Sequence, residues 1–289
     1  MKKLNSLYSL IHKAALGLGL TALIFATSCT TSVEPVNGID EESVIAELIA
    51  AADFDEVDDL SSTAMSSADG NSGGRVVEIE DHRFSCAEVT RDFENQMIII
   101  DFGDSCVGPN GIVRSGKIII NYDGPRFIPG STWVTSFEDF YIDGRHIEGV
   151  RTVTNITEEL FTSPMYHIVL EGGKVTWPDE TFATREVDKV RVWKRAENPM
   201  LDEFWILAQS TCSGVNREEV IFSSLVISDL IYKKECFAPG TGRYPVAGVK
   251  DVILNGITYT VDFGDGECDS IVTVTVDGVS ETIDLSDRK

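Results

Sequence analysis

Phe140-Tyr141-Ile142-Asp143-Gly144-Arg145-His146-Ile147-Glu148 reads as two short strands folded about an Asp-Gly turn. That dipeptide supplies the pair of positive φ angles that a two-residue antiparallel hairpin needs. The same grammar recurs at Val252-Ile253-Leu254-Asn255-Gly256-Ile257-Thr258-Tyr259. Further turn dipeptides stand at Asp123-Gly124, Gly172-Gly173 and Asp277-Gly278. Between them the side chains alternate with period two: Ile118, Ile120 and Tyr122 against Lys117, Ile119 and Asn121, and Val272, Val274 and Val276 against Thr273, Thr275 and Asp277. From Arg75 onward no long helix interrupts this pattern. The expectation is therefore an all-β, antiparallel meander over residues 75–289. Whether it forms an open curved sheet, a sandwich or a barrel is not set by the pattern.

Upstream the reading changes. Lys2, Lys3 and Lys13 precede an apolar run from Ala14 to Ala26, which ends in Thr27-Ser28-Cys29. A basic start, a short apolar stretch and small residues form a secretory signal, too short to span a bilayer. The residues before Cys29 resemble a bacterial lipobox, in which the cysteine is lipidated and becomes the mature N-terminus. Residues 1–28 are thus expected to be a lipoprotein signal peptide, and 29–74 a lipid-anchored tether. Within that tether, Asp40 to Ala52 reads as a short helix, with Val44, Ile45, Leu48, Ile49 and Ala52 on one face and Glu41 and Glu42 at its start. Asp53 to Gly74, acidic and then rich in Ser and Gly, reads as a flexible linker.

The chain carries 47 acidic and 24 basic residues, a formal charge of −23. Loss of residues 1–28 removes three lysines and no acids, leaving 261 residues at −26. Such acidity argues against nucleic acid and against docking on anionic headgroups, both of which demand clustered Lys and Arg. A solvated, self-repelling surface is the plain reading.

Beyond Cys29, five cysteines remain. Exported cysteines favour disulfides over metal, and no pair has the C-x-x-C spacing. An internal echo suggests how they pair: Asp101-Phe102-Gly103-Asp104-Ser105-Cys106 recurs as Asp262-Phe263-Gly264-Asp265-Gly266-Glu267-Cys268, each with a cysteine upstream. Two β units, stapled by Cys86–Cys106 and Cys236–Cys268, follow from the echo, with Cys212 left over. Cys106–Cys268 is the alternative.

The candidate sites are few. Asp262, Asp265, Glu267 and Asp269 place four carboxylates in one loop, an oxygen set suited to Ca2+, although the EF-hand spacing is absent. Capping of backbone N–H groups at a strand end is the structural reading of the same residues. Arg191, Trp193 and Arg195 share one strand face, either as a stacked platform for a sugar or partner or as simple cover. Trp205, within Phe204-Trp205-Ile206-Leu207, reads as core. Met97-Ile98-Ile99-Ile100 is apolar on both faces, as in a strand covered on both sides. His82, His146 and His167 are dispersed, no Gly-x-Ser-x-Gly elbow is present, and no catalytic residue is assigned.

Cys29, the Asp-Phe-Gly-Asp-Ser-Cys loop, Gly108-Pro109-Asn110-Gly111, Arg114-Ser115-Gly116-Lys117-Ile118, Gly149-Val150-Arg151-Thr152-Val153-Thr154-Asn155 and the last Asp-Gly-Glu-Cys-Asp loop together resemble a group of Bacteroidota envelope lipoproteins with no assigned activity. The resemblance covers most of residues 85–286. It implies an outer-membrane lipoprotein facing the periplasm or the cell surface, with Cys212 outside the cysteine pattern. The expectation is a non-enzymatic protein that binds an envelope protein, glycan or polymer, or acts structurally, with no cofactor other than Ca2+ at the loop above. A periplasmic carrier of an apolar ligand is the alternative, and a polysaccharide hydrolase the third reading.

Overall fold

A computed structural model describes residues 40–67, 82–108, 111–158, 163–237 and 243–286. The signal segment, Cys29 and the Ser/Gly-rich end of the expected linker lie outside these residues. The meander expected from the period-two pattern is present as one 15-stranded antiparallel sheet. Its first part comprises β1 (Glu88–Asp92), β2 (Met97–Asp101), β3 (Cys106–Val107), β4 (Val113–Tyr122), β5 (Thr132–Ile142), β6 (Arg145–Asn155) and β7 (Met165–Thr176). Then follow β8 (Phe182–Lys194), β9 (Glu203–Ile206), β10 (Thr211–Val215) and β11 (Ile221–Lys233). The chain closes with β12 (Ala247–Leu254), β13 (Ile257–Asp265), β14 (Ile271–Val276) and β15 (Val279–Asp284). Neighbours in sequence are neighbours in the sheet, except that β3 pairs only with β4, and β9 and β10 both lie between β8 and β11. The ordered path ends at β1 and at β15, so the sheet is open rather than a closed barrel.

The turn chemistry accounts for the hairpins. Asp143-Gly144, Asn255-Gly256 and Asp277-Gly278 each hold both residues at positive φ, as the two-residue turn requires. The other two dipeptides differ. Asp123-Gly124 opens the longer β4–β5 connection, where the Asp123 carboxylate accepts the Thr132 N–H at 2.7 Å. Gly172-Gly173 lies inside β7 at a shift of register between Leu170 and Gly173. A Cβ on Gly173 would stand 2.6 Å from the Arg185 carbonyl oxygen, so glycine there lets β7 and β8 approach.

The N-terminal segment departs most from expectation. α1 runs over Glu41–Ala64, twelve residues beyond the expected end at Ala52, and the acidic stretch 53–60 is helix rather than linker. The Asp40 carboxylate caps it, accepting the Ser43 N–H at 3.2 Å, with Glu41 and Glu42 in the first turn. No Gly or Pro interrupts it. Val44, Ile45, Leu48, Ile49 and Ala52 pack with Phe222, Val252, Val261 and Val274 from the later strands. Ala46, Ala50, Phe54, Val57 and Leu60 pack with Ile98, Ile118, Ile147 and Ile168 from the earlier ones. One helix thus belongs to both halves of the core, and the sheet curves around it. Ile98 and Ile100 are fully buried on this inner face, while Met97 and Ile99 point outward and are half-buried.

The echo has a structural counterpart. Asp101 and Asp262 each accept the N–H of the glycine two residues on, at 2.8 and 2.9 Å. Gly103 and Gly264 turn at positive φ, and Phe102 and Phe263 drop into the two core halves. Cys86 bridges Cys106 and Cys236 bridges Cys268, with Cα separations of 5.4 and 5.2 Å. Cys212 is free and buried. Loops of these lengths each contribute about 3–4 kcal/mol by restricting the unfolded chain. Peptide mapping without reductant should recover Cys86 with Cys106, and the Cys236→Ser/Cys268→Ser variant should lose stability of that order in urea titration.

Candidate functional site

The strands around α1 turn cations inward at positions that alternation would assign to apolar groups. Arg145 stands two residues before Ile147, Arg151 two before Val153, Arg185 two after Ala183, and Lys250 two before Val252. All four of these cations are buried. Each is held because α1 presents a carboxylate opposite it. Arg145 grips Asp53 with two bonds, Nε at 2.7 Å and Nη2 at 2.9 Å. Arg151 grips Asp58 in the same way at 2.6 and 2.5 Å, and Lys189 reaches Asp58 at 2.8 Å. Arg185 and Lys250 meet Glu47 at 3.3 and 3.1 Å. Arg114 pairs with Glu56, Lys189 with Asp55, and Arg243 with Asp53. Toward the C-terminal end of the helix, Arg83 and Arg191 share Asp59 at 2.7 and 3.3 Å. Planar two-bond guanidinium–carboxylate pairs give direction as well as attraction. They fix the rotation of α1 within the sheet, which apolar packing alone does weakly.

Burial would raise the Asp55 carboxyl, but Lys189, the Tyr232 hydroxyl donating at 2.6 Å and the more distant Arg151 together outweigh it. The carboxyl is held far below the usual range. Asp59 is lowered in the same manner, burial opposing and Arg83 and Arg191 prevailing. Burial raises Tyr232, with the Asp55 charge adding to it. Burial also raises Tyr244 and the Cys212 thiol, although Arg185 beside that thiol pulls the other way. Because the Asp55 and Asp59 pKa values are depressed in the folded state, they stabilise it above the unfolded value of about 4 and lose that contribution as pH falls below it. The raised Cys212 and tyrosine values act oppositely, and their contribution declines as pH climbs above about 8.5 and then 10. Thermal unfolding followed across pH 2–11 should show a plateau near neutrality with a decline on both sides.

Between α1 and strands β8, β10, β11 and β12 lies a cavity of about 70 Å³, lined by Leu48, Ala52, Arg185, Cys212, Val226 and Lys250 among others. Ala51, Asp55, Tyr232 and Arg243, also in its wall, keep part of their surface in solvent.

The residues singled out from sequence fare differently. Arg191, Trp193 and Arg195 do come together, but not as a bare platform. The Trp193 ring lies 5.6 Å from both Phe127 and Phe204, with the Arg126 guanidinium over it at 5.2 Å. Its N–H donates to Asp202 at 3.1 Å. Arg191 is turned to Asp59 and stacks over Phe204 at 4.0 Å, while Arg195 lies over Phe127 at 5.7 Å. The strand face that carries them is the inner one, so protein groups cover the indole. Trp205, expected in the core, instead lies half-buried on the outer face under Lys194 at 5.1 Å, while Phe204 and Ile206 point in.

At the second Asp-Phe-Gly loop, the Asp262 and Asp269 carboxylates accept N–H groups of Gly264 and Ile271. Among the described residues no three His, Cys, Asp or Glu side chains converge as metal ligands would. His146 stacks on Tyr141 at 4.6 Å, and His167 lies 2.8 Å from Asp188 across β7–β8. No described helix is long and apolar enough to cross a membrane. The chain matches no family model, no curated protein and no solved structure.

Proposed function

We propose that this chain is a membrane-tethered envelope lipoprotein of the bacterial outer membrane, non-enzymatic, that holds an envelope protein, glycan or polymer by the outside of its sheet. The occupied interior is the observation that supports this reading: α1 fills the concave face, and its carboxylates at 47, 53, 55, 56, 58 and 59 are all bound to sheet cations. What remains for a partner is the outer face, the hairpin turns and the two sheet edges. Phe93, in the β1–β2 turn, and Ile221, at the start of β11, are 62% and 76% exposed. The anchor is supported by the Lys2-to-Cys29 pattern.

The carrier reading has less room. A cavity of about 70 Å³ is under half of the roughly 150 Å³ that accommodates benzene, so an acyl chain would have to displace α1. Labelling of the full-length protein with an alkyne fatty acid in a bacterial host tests the anchor. The label should enter the wild type and be lost in Cys29→Ala, and an unlabelled wild type would refute it. Photo-crosslinkers at positions 93 and 221 test the partner: a discrete adduct in envelopes is expected, and its absence at both sites would count against recognition through these turns.

A further inference from the structure

The closing edge of the sheet is built without a cation. From Asp251 to Asp287 the sequence holds nine acidic residues and no Lys, Arg or His. That stretch supplies the end of β12 and all of β13, β14 and β15. Among the described residues, no strand pairs with the free side of β15. Val279, Ser280, Glu281, Thr282 and Asp284 are exposed along it, and Ile283 is buried.

An open edge is ordinarily blunted by a bulge, a proline, a lysine or an inward-pointing charge. β15 pairs with β14 without a shift of register and holds neither proline nor lysine. Its one such device is Glu281, opposite Val274 and on the same side of the sheet as that buried side chain. After a two-residue turn, the pairs Val276–Val279, Val274–Glu281 and Val272–Ile283 exchange the backbone bonds. Leu285, donating its N–H to the Ser270 carbonyl at 2.8 Å, keeps that phase. The N–H and C=O groups of Ser280 and Thr282 therefore point away from β14. Charge then decides what can use this edge. A second copy would bring the Glu281 and Asp284 carboxylates of two strands together, and like charges oppose strand pairing. β1, at the other edge, carries both signs in Glu88, Arg91 and Asp92 and has no such preference.

We propose that β15 takes an extended, basic segment of a partner protein as an added antiparallel strand. A Lys or Arg of that segment lies opposite Glu281, with apolar side chains two residues to either side, opposite Val279 and Ile283. Backbone bonds to Ser280 and Thr282 supply the attachment, and the carboxylates select the partner. The inference rests on the partner-holding role proposed above and names its site and chemistry. It does not depend on lipidation of Cys29.

The probe is the capped peptide Lys-Val-Thr-Lys-Thr-Val-Lys, titrated into the purified 15N-labelled protein and followed by amide chemical shifts and hydrogen exchange. It should give saturable shifts along β15 and slow the exchange of the Ser280 and Thr282 amides. The same peptide N-methylated at its two threonines keeps every charge but cannot pair, and should not bind. Glu281→Lys, an exposed substitution that spares the core, should weaken binding about tenfold. Peptide binding at β15 with no envelope adduct at positions 93 and 221 would support this edge as the partner site rather than the turns. Absence of saturable shifts, shifts centred on another strand, equal binding of the N-methylated peptide, or undiminished binding by Glu281→Lys would each overturn the assignment, and so would a dimer formed through β15. Loss of peptide binding leaves the test of the Cys29 anchor untouched, so the two failures are separable.

Discussion

Replacing Arg151 by methionine is expected to destabilise the fold by about 3 kcal/mol, because it strands the Asp58 carboxylate in a buried position with Lys189 as its remaining cation. Asp58 and Arg151 are 4% and 1% exposed, so solvent cannot take over the lost partner. The second arm separates the pair from its burial. An Arg151→Met/Asp58→Met double variant removes both charges and keeps apolar volume, and such replacements are often neutral or stabilising. It should therefore be more stable than Arg151→Met alone, despite carrying one more substitution. Urea denaturation of the four proteins closes the cycle. If the double variant instead loses the sum of the two single effects, the groups are not coupled and α1 is not seated as described.

The second large effect concerns the helix itself. Ala50 lies in the middle of α1 and is 2% exposed, packed with the earlier strands. Proline there removes one helical hydrogen bond and clashes with the carbonyl four residues back, at about 3 kcal/mol or more. Because α1 contributes to both halves of the core, that loss should appear in the global transition. Tm should fall by roughly 6–12 °C for a body of this size, with sheet and helix signals moving together. A frayed helix beside an unchanged sheet transition would mean that α1 is an appendage.

How much of this was legible in the sequence follows from range. The hairpins were readable because Asp143-Gly144 and Asn255-Gly256 specify their geometry within two residues. The disulfide pairs followed from the repeated Asp-Phe-Gly loop, which carries its own cap and its own core phenylalanine. The first half of α1 was readable from Val44, Ile45, Leu48, Ile49 and Ala52. Its second half was not, because Asp53-Phe54-Asp55-Glu56-Val57-Asp58-Asp59 looks solvated until its cations are known, and those lie 90 or more residues away in Arg145 and Arg151. A signal did exist. Arg145, Arg151, Arg185, Lys189 and Lys250 all fall on the inward parity of their strands, where a cation is out of place unless something anionic is buried beneath the sheet. The parity of Trp193 puts it on the same filled side, where Phe127, Phe204 and Arg126 cover it, so, of the two readings of that face, cover fits the geometry.

The most direct test of the account is amide hydrogen exchange over Asp53–Ala64 in the full-length protein at neutral pH. Protection comparable to that of β6 and β7 is expected, because the segment is helical, largely buried, joined to β6 by ion pairs and packed with Ile168 and Leu170 of β7. Exchange of this segment within seconds, while the sheet stays protected, would restore it to a flexible linker and remove the charged interior on which the fold is argued to depend.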